Sequence, residues 1–522
     1  MIEITPNTPE TPLSETVVDR IRASAKRDPD REAIVCGDHR LTWRAFDDRI
    51  NRAANMAIAL GVQPGDNVTI LSQNSIPYAE LFMGLLRAGA CVTPLSSMAS
   101  SDALEKMVAD CGAKVIFLAD QYRDLAGPFV SRRPLTRVAI DFAADGWLDY
   151  ETLMAQAAAT DPMVPIGLDD PCNLIYSSGT TGTPKGILHK HALRSAQMDR
   201  VTANGYDNGA RTLLSTPLYS NTTIVAFLPT LVGGSTVYLM SKFDALKWLE
   251  IAESARITHT MLVPVQYKRL LDHPEFDRFD LSSMHIKLST SAPLRQAVKA
   301  DAMKRFPGRL IEYYGLTEGG GVTVLSLTDY PDKLHTVGQP APGAEIRLLD
   351  EDGNDVPPGE VGEVCGRSTT MMAGYFGRDD LTEAQIWRDP DGKVFFRSGD
   401  MGRFDEDGFL ILSDRKKDMI ISGGLNIYAD DLERVLLDDP DVTDAAVIGI
   451  PSAAWGETPL GLVVLTPGAE TDGEAICARA NEKLGKSQRL AGVETRETLP
   501  RSDIGKILKR DLRKPYWEGE TE

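Results

Sequence analysis

The sequence contains none of the short motifs that mark a zinc protease, a serine hydrolase or a dinucleotide-binding site. Its 7 histidines form no HExxH pattern, and neither a GxSxG elbow nor a GxGxxG fingerprint is present. The 6 cysteines are scattered and share no CxxC spacing, so we expect free thiols in a reducing compartment. These absences argue against a zinc site and against a disulfide framework.

Positive charge and long apolar runs are also scarce. The chain has 56 Lys and Arg residues against 75 Asp and Glu residues, which gives a formal net charge of −19. A nucleic acid or an anionic membrane surface requires clustered Lys and Arg, so neither partner is expected. No apolar run approaches the roughly 20 residues of a membrane span, and the N-terminus lacks the apolar stretch of a signal peptide. We therefore expect a cytoplasmic protein.

The length and the hydrophobic pattern predict more than one domain. At 522 residues the chain is too long for one core, which stops growing at about 250–300 residues. Apolar runs such as Val68–Leu71 alternate with helical patterns such as Ile76–Ala88, which predicts an α/β fold with parallel sheets. Short glycine-punctuated strands predict a barrel-like subdomain at roughly 337–413. We predict a large N-terminal domain (1–416), hinged to a small α+β C-terminal domain (417–522).

The segment Ser177–Gly186, here called the phosphate loop, has the composition of an anion-binding site. Its three glycines let the backbone approach a ligand closely, and its hydroxyl groups and lysine are suitable donors to phosphate oxygens. The spacing differs from GxxxxGK[ST], so a Walker-type loop is not indicated. A flexible surface loop is the alternative, although apolar residues on both sides favour two flanking strands. The candidate contacts are Ser177, Ser178, Gly179, Thr180, Thr181, Gly182, Thr183 and Lys185.

This loop resembles the signature of the adenylate-forming (AMP-binding) superfamily, which includes acyl- and aryl-CoA synthetases, luciferases and peptide-synthetase adenylation domains. Further motifs follow in the family's order over nearly the whole chain. The resemblance implies an ATP-dependent carboxylic acid–CoA ligase that releases pyrophosphate and then AMP, with ATP, Mg²⁺ and coenzyme A as its cofactors. It also implies that a C-terminal domain rotates between the two half-reactions.

The resemblance assigns roles to residues outside the loop. It implies that Lys506, Thr317 and Glu318 are catalytic, with Glu318 as the Mg²⁺ ligand. Lys417 is the implied hinge, and Ser422, Gly423 and Gly424 are the implied CoA contacts. The further ATP and AMP contacts are Ser291, Ala292, Pro293, Glu312, Tyr313, Tyr314, Gly315, Asp400 and Arg415.

Elementary chemistry is consistent with these roles. The ring of Tyr314 can stack on a purine, and the carboxylate of Asp400 can accept both ribose hydroxyls. The ammonium of Lys506 can offset charge that accumulates in the transition state, an effect typically worth about 10²–10³ in rate. His189 and His191, just after the loop, are interpreted as structural or helix-capping residues.

The implied acyl pocket departs from the family pattern. Ser220 stands where many members have histidine at the pocket entrance, and the glycines after Glu318 remove side chains from the pocket region. Together with Gly315 they predict room for an acid larger than acetate or propionate, and the lining carries no charge. The candidate pocket residues are Tyr219, Ser220, Asn221, Val265, Gly319, Gly320 and Gly321.

Several alternatives stay open at this point. Aromatic, cyclic and medium-chain acids all fit an apolar pocket, and the acyl acceptor could be a carrier protein instead of free CoA. The chain ends soon after Lys506 without a fused carrier domain, which favours CoA. A non-catalytic nucleotide or acyl binder is the alternative from another class. Both a monomer and a homodimer are compatible with the sequence.

Overall fold

The computed structural model describes residues 13–177, 184–198, 200–207, 209–415, 418–422, 425–452, 455–485, 488–502 and 505–517. The chain divides into two compact units. The first comprises Met1–Glu345 and Gly366–Phe396, and the second comprises Ile346–Cys365 and Arg397–Glu522. The predicted domain boundary between residues 416 and 417 stays a prediction.

The helices occupy both units. Those of the first unit are α1 (Val17–Arg27), α2 (Trp43–Ala59), α3 (Ile76–Arg87), α4 (Ser101–Asp110), α5 (Arg123–Val130), α6 (Tyr150–Gln156), α7 (His191–Gln197), α8 (Arg200–Ala203), α9 (Asn221–Val232), α10 (Ala245–Ser254), α11 (Pro264–Leu271), α12 (Gln296–Arg305) and α13 (Asp379–Glu383). Those of the second are α14 (Ala429–Leu437), α15 (Gly473–Lys483) and α16 (Lys509–Trp517). None of these described helices is long and apolar enough to cross a membrane.

The strands up to residue 340 are β1 (Glu32–Cys36), β2 (His39–Thr42), β3 (Asn67–Leu71), β4 (Cys91–Pro94), β5 (Val115–Leu118), β6 (Thr136–Ala139), β7 (Leu148–Asp149), β8 (Pro171–Ser177), β9 (Lys185–Lys190), β10 (Arg211–Leu214), β11 (Thr236–Leu239), β12 (His259–Leu262), β13 (Ile286–Ser289), β14 (Arg309–Tyr314), β15 (Thr323–Ser326) and β16 (Gln339–Pro340). The later strands are β17 (Glu345–Leu349), β18 (Gly362–Arg367), β19 (Gly374–Tyr375), β20 (Ile386–Arg388), β21 (Val394–Phe404), β22 (Leu410–Arg415), β23 (Ile420–Ser422), β24 (Leu425–Ile427), β25 (Val442–Ser452), β26 (Gly456–Leu465) and β27 (Gly492–Thr495).

Two mainly parallel sheets form the first unit. One has the order β16-β15-β14-β13-β12-β10-β11-β1-β2, and its central strands from β14 to β1 run parallel. The other has the order β19-β9-β8-β4-β3-β5-β6-β7, with β9 antiparallel to β8. The strands β17, β18, β21 and β20 form a third sheet in that order, and β22 pairs with β21.

The apolar helices bury the faces of these sheets. Helix α3, for example, begins at the capping residue Ser75 and is buried along its length, including Leu81, Phe82 and Leu85. Burying a large apolar side chain contributes about 1.5–3 kcal/mol relative to leaving it exposed, so one such helix is a major part of the core. The predicted α/β rhythm is confirmed here, since β3, α3 and β4 follow one another with parallel strands.

The second unit carries a separate small core. Strands β24, β23, β26 and β25 form an antiparallel path, and β27 adds to β26 in parallel. Leu432 and Leu436 of α14 pack with Val447 and Val463 of the sheet and Ile476 of α15. The predicted fold class, a large N-terminal α/β region with a small C-terminal α+β region, is therefore confirmed.

Candidate active site

The predicted acyl-pocket residues and the predicted AMP contacts Ser291–Pro293, here called the adenine segment, lie at one edge of the nine-stranded sheet, the first sheet. Because β10, β12, β13 and β14 run parallel, the segments that follow them emerge at the same edge. Ligands of open α/β sheets bind at the carboxyl ends of the strands, so the position is suited to a ligand. In strand order the segments are Tyr219–Asn221, Val265, Ser291–Pro293 and Gly315–Gly321.

The phosphate loop connects two antiparallel strands. Ser177 at the end of β8 pairs with Lys185 at the start of β9, which confirms the two predicted flanking strands. The loop therefore leaves the carboxyl end of β8, a strand that runs parallel to β4. The remaining candidate contacts, Ser178, Gly179, Thr180, Thr181, Gly182 and Thr183, lie outside the described residues.

One tyrosine connects the loop lysine with the predicted magnesium ligand. The ammonium nitrogen of Lys185 lies 5.3 Å from the centroid of the Tyr375 ring, a cation–π distance. The hydroxyl of Tyr375 donates to Oε1 of Glu318 at 2.9 Å. Burial raises the pKa of Tyr375, and the neighbouring Glu318 carboxylate raises it further, so the phenol stays protonated as a donor. The two motifs, distant in sequence, are thus brought together.

The donor set at Glu318 fits Mg²⁺ that arrives with ATP. The hydrogen bond from Tyr375 uses one of about four lone-pair sites on the Glu318 carboxylate, which is compatible with a metal at another of them. Within the described ranges, no group of three or more His, Cys, Asp or Glu side chains is arranged to hold a metal ion. Mg²⁺ commonly binds through one or two carboxylates together with substrate phosphates and waters, so one carboxylate suffices. When bound, Mg²⁺ would neutralise phosphate charge at this position.

Thr317 is held from the second sheet. Its carbonyl oxygen accepts a hydrogen bond from Nε2 of His189 in β9 at 2.8 Å. Burial, with Arg194 alongside, holds the pKa of His189 well below its usual range, so the ring is neutral. His189 thus supports the segment that carries a predicted catalytic residue, and its interpretation as a structural residue stays a prediction.

The predicted adenine segment is braced from both sides. Ser291 has a φ of +82° and shares a short hydrogen bond with Thr222 of α9. Behind it, the buried carboxylate of Glu312 forms an ion pair with Lys299 at 2.6 Å and accepts from the amide of Leu294 at 3.1 Å. Burial raises the pKa of Glu312 and Lys299 opposes that shift. These contacts give Glu312 a supporting position beneath the segment.

The aromatic pair of β14 and the rest of the adenine segment are partly accessible. Tyr313 and Tyr314 are half-buried at the end of β14. The Tyr313 hydroxyl accepts from the side-chain amide nitrogen of Asn204 at 3.4 Å. Ala292 is half-buried and Pro293 is exposed. Stacking of Tyr314 on a purine stays a prediction.

Ser220 has a structural role at the predicted pocket entrance. It is the N-cap of α9, and its hydroxyl oxygen accepts from the amide of Thr222 at 3.3 Å. Such a cap typically stabilises a helix by about 1 kcal/mol. Tyr219 before it is buried, whereas Asn221 is half-buried on the first turn of α9. Val265 is half-buried on the first turn of α11.

The glycines after Glu318 have a conformational reason in addition to any effect on pocket size. Gly319 and Gly320 have φ values of +78° and +85°, which favour glycine. A Cβ on Gly319 would lie 1.9 Å from the Thr370 carbonyl oxygen, and one on Gly320 would lie 2.9 Å from that of Gly366. Both therefore allow a close backbone approach. At Gly315 the nearest atoms to a Cβ would be 3.6 Å away, so this position has room.

In the second unit, the predicted ribose residues are cross-strand neighbours. Asp400 in β21 lies opposite Arg415 in β22, and Nε of Arg415 is 2.6 Å from Oδ1 of Asp400. Gly399 before it has a φ of +70°, and the hydroxyl of Ser398 accepts from the Asp400 amide at 2.9 Å. The buried carboxylate is thus held within β21 by Arg415 and by the Ser398 contact, and its binding of both ribose hydroxyls stays a prediction.

Lys506 is exposed on a tight turn of the second unit. Its carbonyl oxygen accepts from the amide of Ser502 at 2.8 Å, and Gly505 before it has a φ of +77°. Arg501 donates to the Gly505 carbonyl at 2.6 Å and pairs with Asp444 at 2.5 Å, which anchors the turn. Ser422 ends β23. Lys417, Gly423 and Gly424 lie outside the described residues.

Sequence reasoning missed three supporting residues. Tyr375, Arg194 and Lys299 contact predicted site residues, which are Glu318, Asn221 and Glu312, and none of these pairs is close enough in sequence to share a motif. Of the three, only Tyr375 stands out in the sequence, as an aromatic residue among closely spaced glycines, although this pattern does not indicate its contact with Glu318.

Comparisons with known proteins identify relatives over most of the chain. Residues 21–376 match the family model AMP-binding enzyme, and residues 431–506 match AMP-binding enzyme C-terminal domain. A feruloyl-CoA synthase of Amycolatopsis sp is 35% identical over 94% of this chain and 97% of that protein. The long-chain-fatty-acid–CoA ligase FadD13 of Mycobacterium tuberculosis is 31% identical over 95% and 97%. The ATP-bound crystal structure of MatB from Rhodopseudomonas palustris has a TM-score of 0.86 at 27% identity, covering 96% of this chain and 98% of MatB.

The fold and the site define an α/β enzyme whose ligand residues gather at the carboxyl ends of parallel strands. The chain belongs to the AMP-binding enzyme family. The predicted superfamily is thereby confirmed, as is the predicted class, an AMP-forming acid–thiol ligase that uses ATP, Mg²⁺ and coenzyme A. The roles of individual residues stay predictions.

Proposed function

We propose that this enzyme converts an aromatic, cyclic or medium-chain carboxylic acid to its CoA thioester through a bound acyl-adenylate. In the first half-reaction a carboxylate oxygen attacks the α-phosphorus of ATP, and the bond to pyrophosphate breaks. In the second, the CoA thiol gives up its proton, its sulfur attacks the acyl carbonyl, and AMP leaves with the bonding electrons. Both steps balance with ATP and CoA as the only co-reactants.

The arrangement of Lys185, Tyr375 and Glu318 carries this proposal. It connects the phosphate loop with the predicted Mg²⁺ carboxylate through contacts of 5.3 and 2.9 Å. Phosphoryl chemistry relies mainly on positioning and on charge stabilisation, which this arrangement supplies. Lys185 would hold a phosphate oxygen, and Glu318 would hold Mg²⁺ beside it. From the family resemblance we assign Lys506 to the adenylation step.

The pocket features support a medium or large apolar acid. Tyr219 and Val265 follow strands at the carboxyl edge of the sheet, and a Cβ added at Gly315 would make only ordinary van der Waals contacts, the nearest at 3.6 Å. The relatives named for feruloyl and long-chain fatty acyl groups handle acids of that size. We further propose a cytoplasmic enzyme that is a monomer or a homodimer, two states that sedimentation velocity distinguishes.

An acid panel tests the proposal. The purified enzyme would be given ATP, Mg²⁺ and ferulate, indole-3-acetate or octanoate, with and without CoA, while pyrophosphate and acyl-CoA are measured. We expect pyrophosphate release with at least one acid, and a thioester only when CoA is present. Release without a thioester would favour a carrier protein or another acceptor. Absence of release with every acid, together with measurable ATP binding, would favour a non-catalytic binder.

A further inference from the structure

A buried arginine lies between the nucleotide motif and the acyl-pocket entrance. Arg194, in α7, has no exposed surface. Burial lowers its pKa to about 10, so the guanidinium remains charged at neutral pH. No carboxylate in the described part of the chain forms an ion pair with it. A charge in the core without a counter-ion is costly unless hydrogen bonds satisfy it.

Four neutral acceptors satisfy this guanidinium. Its Nε donates to Oδ1 of Asn173 at 2.9 Å, and one terminal nitrogen donates to Oε1 of Gln197 at 3.0 Å and to Oδ1 of Asn221 at 2.9 Å. The other terminal nitrogen donates to Nδ1 of His189 at 2.9 Å. Among the side chains, only the five N–H groups of arginine can serve so many acceptors at once.

The network fixes the tautomer of His189. Its Nδ1 faces two donors, the guanidinium of Arg194 and the amide nitrogen of Asn173 at 3.2 Å, so it must be the acceptor. Nε2 therefore carries the proton and donates to the Thr317 carbonyl. Arg194 thus determines which ring nitrogen holds the Thr317 segment.

The second arm of the network reaches the acyl side. Asn221 follows the N-cap Ser220 and opens α9 at the predicted pocket entrance. Its side-chain oxygen Oδ1 accepts from the same nitrogen of Arg194 that serves Gln197. Arg194 therefore supports both Thr317, which is predicted to be catalytic, and Asn221, which is predicted to line the acyl pocket.

We propose that Arg194 and His189 are positioning residues that hold Thr317 and Asn221 in register for adenylation. The proposal rests on the proposed function, because that function gives Thr317 and Asn221 their roles. The proposal explains why a charged guanidinium is buried at position 194. An apolar side chain would fill the same space without a desolvation cost. Neither residue touches the reacting atoms; each acts through the segment that it holds.

Single variants separate the two arms. His189→Leu removes the donor to Thr317, and we expect the KM for ATP to rise about fivefold to tenfold, the range of one lost hydrogen bond. The KM for the acid should change by less than about twofold. His189→Gln retains a donor and an acceptor and should recover most of the loss.

Asn221→Ala should raise the KM for the acid and spare that for ATP. Arg194→Met should raise both.

A matched control measures the effect of destabilisation alone. Tyr150→Phe removes one buried hydrogen bond, from the Tyr150 hydroxyl to Glu80 at 3.0 Å, near β7 at the opposite end of the second sheet from β9. It should lower the melting temperature without changing either KM. If His189→Leu behaves like this control, the positioning role is refuted. If Arg194→Met does not fold, the His189 and Asn221 variants still decide.

Calorimetry keeps this test separate from the proposed function. Binding of ATP with Mg²⁺ is measured directly for the native protein and His189→Leu, without an acid. A weaker ATP affinity in the variant supports the His189 arm even if ferulate, indole-3-acetate and octanoate all fail to react. An unchanged affinity contradicts that arm, whichever acid is the substrate.

Discussion

The substitution Gly319→Ala tests how the segment that carries Glu318 is held. An alanine Cβ would lie 1.9 Å from the Thr370 carbonyl oxygen, whereas real contacts are essentially never below 3.0 Å. The chain must therefore move by about 1 Å. A side chain at a φ of +78° costs about 1 kcal/mol, and overpacking costs about 1–3 kcal/mol more. We expect a destabilisation of about 2–4 kcal/mol.

The movement should also affect activity. Glu318 is bonded to the neighbouring strand region through the amide of Met372, which donates to its carbonyl at 2.9 Å. A displacement of the Thr370 backbone therefore shifts Glu318, and a 1 Å misplacement can cost about 10²-fold in rate. Unfolding entropy is about 2.1 cal/mol/K per residue, so in a unit of this length each kcal/mol lowers the melting temperature by about 1 °C, and the fall should be roughly 2–5 °C. Differential scanning fluorimetry and pyrophosphate release measure the two effects.

Gly315→Ala is the matched control. Its Cβ would meet atoms no closer than 3.6 Å, so stability should stay within about 0.5 kcal/mol of native, as for an unstrained substitution. Its effect should appear as weaker use of the largest acids, because it narrows the predicted pocket. A Gly319→Ala protein as stable and active as the native one would refute the reasoning, and so would equal losses in the two variants.

Three further predictions concern the magnesium site, the buried His191 and Lys506. Tyr375→Phe keeps the ring near Lys185 but removes the donor to Glu318, so half-saturation should require about tenfold more Mg²⁺ in pyrophosphate release; an unchanged requirement would contradict the contact. Burial lowers the pKa of His191 to about 4, so stability should be full above about pH 6.5 and fall by about 3 kcal/mol as the pH drops through 4. In His191→Phe this component should vanish from acid-denaturation midpoints. Lys506→Ala should slow adenylation by about 10²–10³-fold but largely spare thioester formation from preformed acyl-adenylate; equal loss in both would contradict its role.

The sequence predicted what depends on short-range pattern. The loop at Ser177–Gly186 was located because composition and flanking apolar runs coincide, and β8 and β9 follow from those runs. The strand and helix at Asn67–Arg87 were predictable from periodicity alone. The structure adds that the motifs after β13 and β14 lie at one edge of the sheet, because these two strands run parallel.

Long-range contacts were not predictable in this way. Nothing local indicates that Tyr375 would contact Glu318, or that Arg194 would contact Asn221, because these pairs meet only through sheet packing. The glycines after Glu318 were noticed but explained by pocket size alone. A Cβ at Gly319 or Gly320 would meet the carbonyl of Thr370 or of Gly366. That clash depends on the backbone φ angle, which the sequence does not specify.

The most direct test of adenylyl transfer follows an isotope. An acid that the enzyme accepts is labelled with ¹⁸O in both carboxylate oxygens and converted with ATP, Mg²⁺ and CoA, and the nucleotide product is analysed by mass spectrometry. If the carboxylate attacks the α-phosphorus, AMP must form and carry one ¹⁸O. Formation of ADP, or of AMP without the label, would contradict the account.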